Sequence, residues 1–169
     1  MFELGDRTVD VDRGEASFSY DLDGERFTEQ IRFPPGGDPG DPAALGNLLD
    51  LCHVVIGTSY FKLRAPSRLV LTRPVSAEAL EVCRRTYDEG LREFAYTNGF
   101  DVPLATAMEA EITGPGDAGP ATRPARRRPL VPIGGGKDSA AVLGLLPGAT
   151  GISISATAIQ RRLAAAAGV

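Results

Sequence analysis

Residues 131–143, VPIGGGKDSAAVL, place three glycines next to a cation, a carboxylate and a hydroxyl; these six residues are Gly134, Gly135, Gly136, Lys137, Asp138 and Ser139. Glycine exposes backbone N–H groups and permits the positive φ angles that an anion-binding nest requires. At a helix start, such a loop directs unpaired N–H groups and the positive end of the helix dipole at one small volume. The segment therefore predicts a phosphate site. Lys137 would add a charge, Ser139 a donor, and Asp138 a helix cap or a ligand for Mg²⁺.

The elements around this loop have to place it between a strand and a helix. Residues 129–133 predict a strand, residues 138–146 a helix ended by Pro147-Gly148, and residues 151–155 a second strand before an Ala-rich helix. This order is one βαβ unit with a trailing helix. It predicts the start of a parallel α/β sheet.

Two common phosphate motifs do not fit the loop. A Walker A loop needs Gly five residues before its Gly-Lys pair and Ser or Thr after the Lys, whereas Val131 and Asp138 occupy those positions. A G-x-G-x-x-G dinucleotide motif fails because Ser139 stands where the third glycine should be. A glycine-rich turn without a ligand is the alternative interpretation.

The loop resembles the PP-loop of the N-type ATP pyrophosphatases, whose pattern is Ser-Gly-Gly-x-Asp-Ser. Four positions match, and Gly134 replaces the first serine; the matching residues are Gly135, Gly136, Asp138 and Ser139. Members of that superfamily, which has an adenine nucleotide alpha hydrolase-like fold, activate a substrate oxygen with AMP and release pyrophosphate. The resemblance implies that residues 134–139 hold the phosphates of ATP.

Two upstream segments, GTSYFKLRAP and EGLREFAYTNGF, extend the resemblance to the bacterial UDP-N-acetylmuramoyl-L-alanyl-L-glutamate epimerase family, over most of residues 15–143. It implies an isomerase of peptidoglycan precursor synthesis, and so of cell wall formation, cell shape and division. Such an enzyme uses ATP and Mg²⁺ to invert the terminal L-glutamate of a UDP-muramoyl dipeptide, with Asp138 assisting the metal. Tyr60 and Lys62, in a polar segment between predicted elements, are the candidate substrate contacts. A solvated surface charge is the alternative for Lys62.

ATP hydrolysis and epimerisation are chemically compatible. Removing the Cα proton beside a carboxylate would place a second negative charge next to the first, whereas adenylation removes the first charge. A base can then take the proton. Its return from the opposite face, followed by hydrolysis, gives the D-centre and AMP.

The sequence does not identify the catalytic base. His53, the only histidine, lies on a predicted helix, where a structural role is the common one. Cys52 and Cys83 are candidates because cofactor-free racemases use paired thiols. Both lie on apolar helical stripes, where thiols are usually inert. The catalytic residues stay unassigned.

Residues 1–112 predict an α+β domain. Apolar and polar residues alternate in RTVDV, EASFSYDL and ERFTEQIRF, and the turn pair Asp23-Gly24 predicts an antiparallel β start. Asp41-Pro42 predicts the start of a helix. The apolar stripe of that helix is Leu45, Leu48, Leu49, Cys52 and Ile56. A buried strand at 68–72 and a second helix capped by Ser76 follow. The stripe of the second helix is Leu80, Cys83, Tyr87, Leu91 and Phe94.

A linker and an incomplete second domain complete the predicted organisation. Residues 113–128, TGPGDAGPATRPARRR, lack apolar periodicity and predict a linker. Residues 129–169 hold the PP-loop unit. Only 30 residues follow Ser139 (169 − 139), which is enough for one more strand and helix, whereas a doubly wound nucleotide domain usually needs about five strands. We therefore expect an apparently truncated chain, either a fragment or one that completes its sheet with another subunit, with little activity alone. An inactive nucleotide-binding remnant and a PP-loop enzyme acting on tRNA or on an amide-forming substrate are the alternatives.

Composition argues against several function classes. A net charge of −4 gives no general attraction to nucleic acid or anionic lipid, and a solvated linker accounts for the basic RPARRR at 123–128. The N-terminus carries no basic and apolar leader, and nowhere do about eighteen apolar residues run uninterrupted. Two distant cysteines form no disulfide framework. We expect a soluble cytoplasmic protein without nucleic acid or membrane partners, of undefined oligomeric state.

Overall fold

The computed structural model describes residues 1–36, 41–105, 107–112 and 128–169. The chain divides into two units, Met1–Gly119 and Pro120–Val169. The predicted linker lies outside the described residues except for Arg128. The predicted domain ranges, 1–112 and 129–169, stay predictions.

The first unit is built around a mixed β-sheet. In the described part of the chain, this sheet has five strands: β1 (Phe2–Asp10), β2 (Glu15–Leu22), β3 (Glu25–Arg32), β4 (Arg68–Val75) and β5 (Ala107–Ile112). Their order across the sheet is β3-β2-β1-β4-β5. The predicted antiparallel start is confirmed, since β2 pairs antiparallel with β1 and β3. Asp23 and Gly24 both have positive φ, 53° and 88°, as a two-residue hairpin turn requires. β1 begins five residues before the predicted strand, and β5, parallel to β4, was not predicted.

The helix α1 (Pro42–Phe61) packs on β1 and β2. It begins directly after Asp41, as predicted, but its predicted stripe is wrong at Leu48, which is 56% exposed. Among the positions of α1 whose side chains the structure describes, the buried ones are Leu49, His53, Val54, Gly57 and Phe61. The helix is apolar nearly all round, and apart from His53 its only acidic or basic residue is Asp50. The sequence pattern therefore does not indicate which face of the helix is buried.

Gly57 lies where α1 packs tightly against the core. A Cβ there would lie 2.7 Å from the Tyr87 hydroxyl and 2.9 Å from a ring carbon of Tyr20. Both tyrosine hydroxyls donate to carbonyls of the same helix, Tyr20 to His53 and Tyr87 to Val54, at 3.1 Å each. The missing side chain therefore lets two buried aromatic residues reach the helix backbone.

The second predicted helix is present but interrupted. It consists of α2 (Ala77–Arg84), a π-helical turn (Arg85–Glu89) and α3 (Arg92–Asn98). Ser76 caps α2 as predicted, accepting a hydrogen bond from the Ala79 N–H at 3.2 Å. In the π turn, the Gly90 N–H donates to the Arg85 carbonyl at 2.9 Å. The predicted stripe is nevertheless buried, with Phe94 only half-buried at its end.

The second unit contains β6 (Leu130–Pro132), α4 (Lys137–Leu145), β7 (Thr150–Ile152) and α5 (Ala158–Ala167). β6 and β7 pair in parallel, which is the arrangement predicted for one βαβ unit. The small core of this unit contains Val131, Ile133, Leu143 and Ala149, with Leu163 and Ala164 against it. Whether this pair begins a PP-loop sheet stays a prediction.

No helix in the described part of the chain combines the length and the apolar character needed to cross a bilayer.

Candidate functional site

The glycine loop connects β6 to α4, where the sequence predicted a phosphate site. Gly135 has φ +86°, the left-handed backbone that glycine adopts without strain. A Cβ at Gly135 would lie 3.0 Å from Ile159 Cγ2 and 3.2 Å from Gln160 Cγ, both at the start of α5. The loop therefore needs glycine at this position both for its backbone angle and for its packing.

The start of α4 is open. Gly136 is its N-cap, without a side-chain cap hydrogen bond, and a Cβ at Gly136 would meet no atom within 4 Å. The first N–H groups of a helix have no acceptor within the helix. The Gly134 N–H donates to Ser139 Oγ at 2.9 Å, which leaves the Ser139 hydroxyl hydrogen to donate elsewhere. This arrangement fits an anion that accepts several hydrogen bonds.

Lys137 and Asp138 pair with each other beside this opening. Lys137 Nζ lies 2.6 Å from Asp138 Oδ1, and the two side chains are 90% and 87% exposed. An ion pair this exposed is weak, so a multiply charged anion can compete for the ammonium group. Among the described residues, no group of three or more His, Cys, Asp and Glu could hold a metal ion. A single Asp138 carboxylate suits Mg²⁺ only where phosphate oxygens and waters complete its coordination.

An open cleft runs from the loop along α5. Gly135, Gly136 and Lys137 line one side, and Ile159 and Arg162 are among the residues of α5 on the other. Arg162 was not among the predicted site residues. The sequence signal for it is an arginine pair, residues 161–162, in an otherwise Ala-rich helix. A guanidinium group at this cleft adds a second cation suited to phosphate.

Tyr60 and Lys62, the predicted substrate contacts, belong to the first unit and make contacts within it. Tyr60 lies inside α1 and not between elements; it donates to Glu29 Oε2 at 2.7 Å and its ring lies 4.7 Å from that of Phe27. The hydrogen bond to Glu29 raises the pKa of Tyr60. Lys62 Nζ lies 5.8 Å from the ring centre of Phe94, a cation–π contact. Their substrate role stays a prediction.

His53 and Cys83 have structural surroundings. His53 is buried; its Nε2 lies 3.0 Å from the Ser19 carbonyl, and desolvation lowers its pKa. Burial raises the pKa of the Cys83 thiol to about 12, so the nucleophilic thiolate is absent near neutral pH. Cys52 is half-buried. These surroundings favour the packing roles expected for His53 and Cys83 over catalysis.

The chain is similar to three curated epimerases that share one name. It is 39% identical over 150 residues to the UDP-N-acetyl-alpha-D-muramoyl-L-alanyl-L-glutamate epimerase of Salinispora tropica, and 41% over 151 residues to the protein of that name in a Micromonospora species. Each match covers 82% of this chain and 32% of the relative. The Xanthomonas oryzae protein of the same name is 32% identical over 145 residues, which are 78% of this chain and 30% of that protein.

The model of the MurL N-terminal domain family matches residues 1–168, and the chain belongs to that family. The predicted resemblance to the epimerase family is thereby confirmed. The chain spans about a third of the length of the curated relatives. No solved structure matches it.

Proposed function

We propose that this chain contributes the phosphate-binding loop of an ATP-dependent epimerase, which converts the terminal L-glutamate of UDP-MurNAc-L-Ala-L-Glu to D-glutamate in peptidoglycan precursor synthesis. The names of the relatives support the substrate and the reaction. The observation that carries the role of the loop is the uncapped start of α4 beside Gly135, with its φ of +86°. Backbone N–H groups, one ammonium group and one hydroxyl meet at that opening.

Each loop residue has a defined part in this proposal. The backbone of Gly134, Gly135 and Gly136 approaches the phosphates, and the Ser139 hydroxyl donates to a phosphate oxygen. Lys137 would exchange its contact with Asp138 for the phosphates, and the Asp138 carboxylate would then be available to hold Mg²⁺. ATP supplies activation of the glutamate carboxylate, which makes the neighbouring Cα–H acidic.

The remaining parts of the site come from further polypeptide. The chain spans about a third of the relatives' length, and His53 and Cys83 have surroundings that do not suit a base. We infer that the base and the adenine contacts lie in the portion of the epimerase that this chain does not match.

Titration of the chain with ATP and Mg²⁺ by calorimetry tests the loop. We expect Lys137→Ala to weaken binding about tenfold, because charge-assisted hydrogen bonds contribute about 1.5–3 kcal/mol. Arg26→Ala, which also removes one exposed cation, 91% exposed in the first unit, should bind like the unchanged chain. Equal affinity for ATP in both variants would exclude the loop as the phosphate site.

Product analysis tests the reaction. The Salinispora tropica relative, given ATP and the L-glutamyl precursor, should release AMP and pyrophosphate. Release of ADP and phosphate would exclude activation by adenylation. Binding of tRNA by this chain, without binding of UDP-muramoyl peptides, would favour a tRNA-modifying PP-loop enzyme.

A further inference from the structure

The two strands of the second unit carry apolar side chains on both faces. Val131 and Ile133 point to the face that α4 and α5 cover, and both are buried. Neighbouring positions point to the opposite face, as alternation along a strand requires. On that face, Leu130 is 61% exposed and Ile152 43%. Ile154, in the bend two residues beyond the end of β7, is 90% exposed. Two large aliphatic side chains thus lie uncovered on one side of a two-stranded sheet, and a third lies exposed directly after it.

The backbone of the same strands is also incompletely paired. Within the pair, the Thr150 N–H donates to the Pro129 carbonyl and the Ile133 N–H to the Ile152 carbonyl, at 2.8 Å each. Because successive residues of a strand direct their polar groups to opposite sides, those of Gly151 point away from β6. In the described part of the chain, no third strand pairs with β6 or β7. The outer side of β7 therefore offers free backbone groups next to the uncovered face.

This combination determines the chemistry of the partner. Parallel sheets are normally covered on both faces, and a two-stranded sheet is marginally stable on its own. The residues of the uncovered face are Leu130, Pro132, Thr150 and Ile152, and neither these nor Ile154, just beyond β7, carries a charge. A polyanion or a polar metabolite would gain nothing there. A strand followed by a helix would pair with the edge and cover the aliphatic side chains.

We propose that this face and the outer edge of β7 are the docking surface for a βα segment from the portion of the epimerase polypeptide that this chain does not match. About two thirds of each relative lies outside the match, which is ample polypeptide for such a segment. A strand of the segment extends the parallel sheet beyond β7. Its helix packs on Leu130, Ile152 and Ile154. The proposal does not depend on whether the glycine loop binds ATP.

Mixing the 169-residue chain with the unmatched portion of the Salinispora tropica relative tests this surface. Calorimetry should show one-to-one binding, and hydrogen exchange at the Gly151 amide should slow in the complex. Ile154→Glu should weaken binding at least tenfold, and Ile154→Leu should preserve it. Tyr96→Glu is the matched control, because Tyr96 is equally exposed, at 89%, in the first unit.

A second arrangement tests the proposal if the separate portion does not stay soluble. Fusing the same portion after Val169 should slow exchange at Gly151, and Ile154→Glu should reverse that change. Three results would overturn the proposal: no protection of Gly151 in either arrangement, binding that Ile154→Glu leaves unchanged, or a dimer of this chain that buries the face without the added portion.

Discussion

Replacing Gly135 by alanine tests whether the shape of the loop depends on glycine. A left-handed φ costs an L-residue about 1–2 kcal/mol. The φ of Gly135 is +86°. The new methyl group would also lie 3.0 Å from Ile159 Cγ2 and 3.2 Å from Gln160 Cγ, closer than an ordinary van der Waals contact. Ile159 is exposed and can move aside at little cost. We therefore expect Gly135→Ala to destabilise the second unit by about 2 kcal/mol.

The crowding has a second consequence at Gln160. Its side chain donates to the Ile133 carbonyl at 2.9 Å and accepts from the Thr157 N–H at 2.6 Å. Displacing Gln160 would therefore weaken both the start of α5 and its attachment to the residue after β6. The amide of Ile133, which donates to the Ile152 carbonyl at 2.8 Å, reports this opening.

Hydrogen exchange at the Ile133 amide measures the effect. A loss of about 2 kcal/mol corresponds to roughly 30-fold faster exchange. Gly144→Ala is the matched control, because Gly144 lies inside α4 and its Cβ would meet no atom within 4 Å. There alanine should stabilise by about 0.5–1 kcal/mol and slow the exchange. A shift of exchange in the same direction in both variants, or unchanged exchange in Gly135→Ala, would show that the loop does not need glycine at residue 135.

Three predictions concern the first unit. Gly57→Ala should lower the free energy of unfolding by about 1–3 kcal/mol in urea titrations, because its methyl group would overlap two buried tyrosine side chains. Gly46→Ala, in the same helix and without such overlap, should not destabilise, and equal losses would contradict the packing argument. Desolvation lowers the pKa of His53 in the folded chain. As the pH falls, the imidazole of the unfolded chain therefore takes up a proton before that of the folded chain, and the free energy of unfolding should decrease below about pH 6.5. Unfolding titrations between pH 5.5 and 7.5 measure this slope, which His53→Gln should flatten; an unchanged slope would assign it to other groups. In thiol labelling of the native chain, Cys52 should react before the buried Cys83, and both should react in urea; rapid native labelling of Cys83 would contradict its burial.

Local chemistry explains most of what could be predicted about the fold. The Asp23-Gly24 turn, the Ser76 cap and the order of elements around residues 134–139 each depend on residues close in sequence. Predictions that needed distant residues were less accurate. Tyr60 was placed between elements but lies inside α1, because the helix continues to Phe61 against the core. β5 was missed because its residues are mostly exposed, and its pairing with β4 is non-local.

The candidate site shows the same division. The sequence by itself determined that residues 134–139 join glycines, a cation and a hydroxyl at the start of a helix, because backbone freedom and side-chain chemistry are local properties. Only the tertiary structure brought Arg162 to the cleft, since α5 had to fold back along the loop. It also decided that α1 buries His53 and exposes Leu48, because an almost wholly apolar helix takes its orientation from the sheet on which it packs.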